Sequence, residues 1–193
     1  MEKATHFVTG KARLSYVSLN QPRVPMGGGE PKFSVTVLVP KTDVTTKARI
    51  DAAIKAAAQL GVSKQWNGVM PPVMATPVYD GDGPRANGDK FGPECKGCWV
   101  FTASSKADRR PRIVDAQVQD IIDPSEIYSG IYGRVGVDAY PYNRNGKRGI
   151  ALGLTNVQKT EEGEPLGSVT SAEDDFGSPI SVGSINPITG MPL

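Results

Sequence analysis

Two cysteines and one histidine among 193 residues leave little material for metal or redox chemistry. Cys95 and Cys98 are too few for a disulfide framework and fit a reducing compartment. Their Cys-Lys-Gly-Cys spacing is half of a structural zinc site, but such a site needs four ligands and the chain adds only His6. Two chains sharing a four-cysteine site is the remaining route to a metal. A redox dithiol belongs at a helix start, whereas this pair leads into strand-like sequence. His6, expected in a mobile N-terminal segment, is a poor general base. Asp80 and Asp82 sit in the turn-like YDGDGP without further ligands at a defined spacing, and read as ordinary loop acids. Gly27 to Gly29 lack the following Gly-Lys-Ser/Thr of a phosphate loop. No catalytic residue, metal or cofactor is therefore assigned. No apolar run approaches the ~18 residues of a membrane span, and MEKATHFVTG lacks the basic-then-apolar layout of a signal peptide. A cytoplasmic location is the expectation.

Basic residues are also absent, but only after Thr160. Six of the 20 acids lie beyond it: Glu161, Glu162, Glu164, Glu173, Asp174 and Asp175. The preceding body holds all 22 basic residues against 14 acids, a charge of +8 hidden within a net +2. Residues 1–160 thus read as one domain and 161–193 as an acidic, Gly/Ser/Pro-rich flexible tail. A basic body with an acidic tail suits a polyanion ligand with which the tail competes. A tail that is merely solvated, with no partner, is the alternative.

Alternation of period two marks strands at Phe7 to Leu19 and Lys32 to Val39, joined by the loop NQPRVPMGGGEP. The period then turns helical from Asp43, a candidate N-cap, to Leu60, with Gly61 as the expected stop. Val62 to Pro93 is a long Gly/Pro/Asn/Asp-rich loop with a short strand candidate at Val73 to Tyr79; loops of this length usually carry function. Strands resume at Cys98 to Ser105, Arg112 to Val114, Ile131 to Tyr142 and Gly149 to Gln158, the last two forming a hairpin through Asn145-Gly146. Five or six strands with one helix point to a mainly β fold, a five-stranded OB barrel with an added α-helix and long loops.

The strand from Ile131 divides its faces unequally. Ile131, Val135, Val137 and Ala139 share one side; Tyr132, Arg134, Tyr140 and Tyr142 share the other. Rings that stack on bases beside cations that meet phosphates are how single-stranded nucleic acid is held. The same tyrosines could instead pack under the helix or a loop. A basic cluster, Lys106, Arg109, Arg110 and Arg112, follows the aromatic strand, and Trp66 with Lys64 and Phe91 with Lys90 repeat the pairing within the long loop, where Tyr79 also lies. Either loop aromatic could equally cap the core.

Several phrases occur in a recognisable order: EPKFSVTVLVPK at 30–41, YDGDG at 79–83, DPSEIYSGIYGRVGVDAYPYN at 123–143, KRGIALGLTNVQK at 147–159, then GEPLGSVTSAEDDF. Across residues 5–177 the chain resembles a phage family of OB-fold single-stranded-DNA-binding replication proteins, once known only as a domain of unknown function. The resemblance implies protection of single-stranded DNA during phage replication or recombination, in the cytoplasm of the infected bacterial host. It also implies that the SAEDDF element, Glu173, Asp174, Asp175 and Phe176, engages a replication partner. Two departures stand out. Cys95 and Cys98 are not part of the family pattern, and GSPISVGSINPITGMPL extends the chain beyond Phe176. The rival expectation is a phage structural or protein-interaction β-barrel without nucleic-acid binding. A β-rich nucleotide hydrolase is a weaker rival, because no metal-binding carboxylate set can be assembled. Homodimerisation is left open by the sequence.

Overall fold

A computed structural model describes residues 3–85 and 87–167, so Glu173, Asp174, Asp175 and Phe176 lie outside the described residues. The elements follow in the order β1 (His6–Val8), β2 (Ala12–Arg23), β3 (Lys32–Pro40), α1 (Val44–Lys64), β4 (Val78–Asp80), β5 (Cys98–Lys106), β6 (Arg112–Val114), β7 (Tyr132–Arg144) and β8 (Lys147–Glu161). Antiparallel pairing joins β2 to β3, β3 to β5, and β7 to β8. A parallel contact between Ser104 and Gly153 joins β5 to β8, and Ala12–Gly133 with Arg13–Tyr132 joins β2 back to β7. The ring β2-β3-β5-β8-β7 is therefore closed, in the strand order of an OB barrel. The helix is inserted between the second and third barrel strands.

Alternation fills the barrel. Val35, Val37 and Val39 of β3 face Phe101 and Ala103 of β5, while Val135, Val137 and Ala139 of β7 meet Ile150, Leu152 and Leu154 of β8. Phe7 of β1 packs edge-on to Phe101, their ring centres 6.1 Å apart. Burying each large side chain contributes about 1.5–3 kcal/mol. The Asn145-Gly146 turn forms as expected, with φ of 50° and 78° at its two central residues, the left-handed pair of a type I′ hairpin.

Asp43 caps α1, its Oδ1 accepting the Thr46 N–H at 3.0 Å. Hydrogen bonds from the Thr46 hydroxyl and then its amide hold the Asp43 carboxyl below the usual carboxylate range. Ile50, Ala53 and Ala57 turn toward the barrel. The helix does not stop at Gly61 but runs to Lys64. Gly61 is there for space: a Cβ would lie 2.7 Å from the Trp66 ring. Its carbonyl accepts the N–H groups of both Gln65 and Trp66. Trp66 is fully buried and donates its indole N–H to the Tyr142 carbonyl at 3.1 Å. It is thus a core residue, correcting the expectation of a stacking one.

Other expectations also shift. The strand expected from Phe7 to Leu19 breaks between β1 and β2, where the Thr9 hydroxyl accepts the Val135 N–H. His6 is held within β1, with Nδ1 2.7 Å from Asp138 Oδ1, instead of lying in a mobile segment. The strand candidate at Val73 to Tyr79 shrinks to β4, which begins only after Pro77, a residue with no ladder donor.

The expected boundary after Thr160 falls inside packed structure. Glu161 ends β8 and pairs with Lys11 at 3.0 Å. Glu162 accepts from Lys159 and from the Tyr128 hydroxyl, Arg13 donates to the Glu164 carbonyl at 2.8 Å, and the Leu166 N–H donates to the Ser129 carbonyl. A Gly/Pro/Glu-rich stretch is thereby held by partners distant in sequence, which composition does not reveal. Lys159 is buried; burial pulls its pKa down, but Glu162 and Glu126 more than offset this and leave it above its ordinary value. Truncation after Thr160 strands that ammonium with Glu126 alone, and should cost about 1–3 kcal/mol. Truncation after Gly167 keeps these contacts and should spare that cost, as urea unfolding of the two shortened chains would show.

Candidate nucleic-acid interface

The outward residues of β3 and β5 stand opposite one another: Lys32 with Lys106, Ser34 with Ser104, Thr36 with Thr102, and Leu38 with Val100. At one end Leu38 and Val100 are covered by Cys95, forming a small second core. In the middle the sheet is open, with the Thr36 and Thr102 hydroxyls hydrogen-bonded at 3.0 Å. This open sheet is the floor of a cleft of about 610 Å³ that reaches Ala151 on β8. Tyr79 and Phe91 line one wall, their ring centres 6.3 Å apart, with the Arg85 guanidinium 5.1 Å from the Phe91 ring centre. From β2 comes Tyr16, 65% exposed. It sits in a bulge with φ of 45°, a left-handed conformation that costs an aromatic residue about 1–3 kcal/mol. That strain holds a large apolar ring out toward solvent.

The wall is built by the YDGDG turn. Lys41 pairs with Asp80 at 2.5 Å and Asp82 at 2.6 Å, and these hydrogen bonds hold both carboxyls below their ordinary range. Asp82 also accepts the Gly97 N–H at 3.0 Å, tying the start of the wall loop to its end. Between the two acids, a Cβ on Gly81 would lie 1.9 Å from the Cys95 carbonyl oxygen, so the loop closes this tightly only with glycine. The acids are scaffolding for the aromatic wall. Burial, reinforced by the Glu94 charge, pushes the Cys95 thiol up to about 11, and burial also raises Cys98. Both are neutral thiols at physiological pH, and Cys95 serves to pack the wall.

Cations close the far end. Arg23 is the cross-strand partner of Lys32, and Lys32 of Lys106, so three positive side chains stand in one row on adjacent strands. None of them meets a carboxylate among the described residues. Like charges placed directly opposite each other destabilise a sheet. The row is an arrangement that a polyanion would relieve.

Of the residues singled out by sequence, the cleft gathers Tyr79 and Phe91, with Lys106 at its end and Lys90 exposed beside Phe91. Arg109 and Arg110 are exposed in the turn after β5, while Arg112 is held by Asp120 at 2.6 Å. The face of β7 is not one site. Tyr132 and Tyr142 are ten residues apart, about 33 Å along a strand. Tyr140, 46% exposed, is the partner of Ala151 and borders the cleft. Tyr142 lies against Gly149. Tyr132 is flanked by Lys11 and Arg13, 5.6 and 5.8 Å from its ring centre. Arg134 reaches the Thr9 carbonyl, away from the cleft. Lys64 closes α1, where its charge complements the helix C-terminus.

Sequence reasoning missed Tyr16, Arg23, Lys32 and Arg85. Lys32 was readable, because it continues the outward parity of Ser34 and Thr36. Arg23 was hidden by the flanking prolines, and no sequence signal foretells the bulge at Tyr16.

The family described as Enterobacter phage Enc34, ssDNA-binding protein, matches residues 5–183. The chain belongs to that family. The single-stranded DNA-binding protein from bacteriophage Enc34, solved in complex with ssDNA, is 27% identical with a TM-score of 0.71, over 86% of this chain and 91% of that one. A putative protein, p50, of Acyrthosiphon pisum secondary endosymbiont phage 1 is 27% identical over 84% of this chain and 88% of its own length. The bacteriophage T7 protein gp2.5, a single-stranded DNA binding protein, shares the fold at 17% identity and a TM-score of 0.59, over 94% of this chain and 98% of that one. Family and fold thus agree with the expectation from the ordered motifs. Within the cleft, removing the central charge of the row by Lys32→Gln should stabilise the barrel at low salt by about 0.2–1 kcal/mol. Urea unfolding at rising salt should show that gain disappear.

Proposed function

We propose that the chain coats single-stranded DNA during phage replication or recombination, without catalysis, through the β3–β5 cleft. The observation that carries this reading is the aromatic wall, with a cation row that meets no carboxylate among the described residues, on the face that OB folds use for oligonucleotides. Bases stack on Tyr79, Phe91 and Tyr16, and Arg23, Lys32 and Lys106 take phosphates; Tyr140 extends the platform past Ala151 of β8 onto β7. Stacking accepts every base, so sequence preference is weak. A duplex keeps its bases inside and offers the wall nothing to stack on. A structural barrel without nucleic-acid binding leaves the strained Tyr16 and the cation row without a role. The setting is the cytoplasm of the bacterial host, consistent with the absence, among the described residues, of any helix long and apolar enough to cross a membrane.

Oligo-dT should bind more tightly than a duplex of equal length, with affinity falling steeply as salt rises, measured by anisotropy of a labelled oligonucleotide. Tyr79→Leu and Phe91→Leu should each cost about 1–3 kcal/mol of affinity while the barrel stays folded. Equal affinity for duplex, or full affinity in both variants, would sink the reading.

The acidic tail is proposed to compete for the same cations and, through Glu173, Asp174, Asp175 and Phe176, to engage a replication partner. Because Glu161 is held by Lys11 and Glu162 by Lys159, the competing charge falls to Glu164 and the three acids before Phe176. A tethered acidic segment acts at high effective concentration and is screened by salt. Truncation after Gly167 should tighten oligonucleotide binding at low salt, with the gain fading as ionic strength rises. Unchanged affinity at low salt would leave the tail a passive extension.

A further inference from the structure

A second basic cleft lies across the barrel from the first, between β1, the N-terminal half of α1, and β7. It has a volume of about 510 Å³ and is lined by Lys3, His6, Arg49 and Arg134 over a floor of Ala52 and Ala53. Two arginines converge on the end of β1. Arg49 donates to the Val8 carbonyl at 3.4 Å, and Arg134 donates to the neighbouring Thr9 carbonyl at 3.3 Å. Each is held by one bond to a backbone oxygen, so the remaining guanidinium donors are left for a ligand. No carboxylate lies within 4.0 Å of Lys3, Arg49 or Arg134 among the described residues. The acids that face this region are already occupied: Asp138 by His6 at 2.7 Å, and Asp43 by Thr46. Like charges gathered without a counter-ion mark an anion site.

Building on the single-stranded-DNA reading, we propose that this second cleft takes backbone phosphates of the same DNA strand after it leaves the first. The route is the outward face of β7. Tyr140 borders the first cleft, and Arg134 stands six residues back along the same face, about 20 Å away. Asp138 lies between them on that face, its Oδ1 held 2.7 Å from His6 Nδ1. The strand thereby wraps from the β3–β5 face, across Tyr140, to the α1–β1 face, and Arg49 and Arg134 grip its backbone without reading bases.

The test compares two oligo-dT lengths on the full chain, one of about 8 nucleotides, within the ~4–16 that one OB barrel covers, and one of about 25. The paired variant Arg49→Ala with Arg134→Ala should leave the short oligonucleotide's affinity within about twofold. For the long one it should lower affinity about tenfold at low salt and make the log affinity against log salt slope shallower by about 1.4, two phosphates at about 0.7 each. Arg49→Gln with Arg134→Gln keeps donors for the Val8 and Thr9 carbonyls and should give the same result, which guards against a folding defect. An equal loss at both lengths, or none at either, overturns the proposal. Tighter binding at both lengths also overturns it, and assigns the cleft to the chain's own acidic segment. Failure of the underlying reading is seen separately, as full short-oligonucleotide affinity in Tyr79→Leu with Phe91→Leu.

Discussion

The barrel is closed by two short seams, and everything on its surface is set by where they fall. On one side, β2 meets β7 over two residue pairs; on the other, β5 meets β8 through the parallel pair Ser104 and Gly153. The long antiparallel ladders lie between the seams: β3 with β5 keeps an unbroken register, and β7 with β8 shifts register at two points. The first cleft runs from β3 across the parallel seam to Ala151 and Leu152. A parallel seam this brief leaves backbone and small side chains at the surface, where longer pairing would raise a continuous ridge. The groove is therefore a result of closing the ring.

What was legible in the sequence was what local pattern encodes. Val35, Val37 and Val39 announce an inward face, Asn145-Gly146 a hairpin, and Asp43 a helix start; all three hold. The strand order followed from the ordered motifs and not from periodicity, which cannot tell one small barrel from another. The site was harder to read because it is assembled across strands. Parity correctly put Tyr132, Arg134, Tyr140 and Tyr142 on one side of β7, yet a coiled strand of 13 residues carries its two ends to different places. Trp66 was misread because a ring beside a lysine in a loop looks exposed until Gly61, five residues earlier, is seen to make room for it.

Charge is distributed with the same logic. Local ion pairs do structural tasks: Lys41 fastens the wall through Asp80 and Asp82, and Lys47 steadies α1 through Asp51. Among the described residues, Arg23, Lys32 and Lys106 on the first cleft and Lys3, Arg49 and Arg134 on the second meet no carboxylate, so they contribute most directly to the field outside the barrel. Exposed pairs contribute little to folding, which lets a surface keep unpaired positive charge at small cost. Stability and ligand attraction are thus assigned to different side chains.

The buried position of Trp66 has a spectroscopic consequence. Neither it nor Trp99, which lies under Lys41 and Lys47 with their ammonium groups 5.2 and 4.7 Å from its ring centre, lines the first cleft. Indole emission from this chain therefore reports first the packing of the helix end and of the β5 start. Three of the six phenol rings stand closer to a ligand, since Tyr16 and Tyr79 line the groove and Tyr140 borders it. Indoles thus sit in the packed frame and these phenols at the groove, so the two chromophores sample different parts of one barrel.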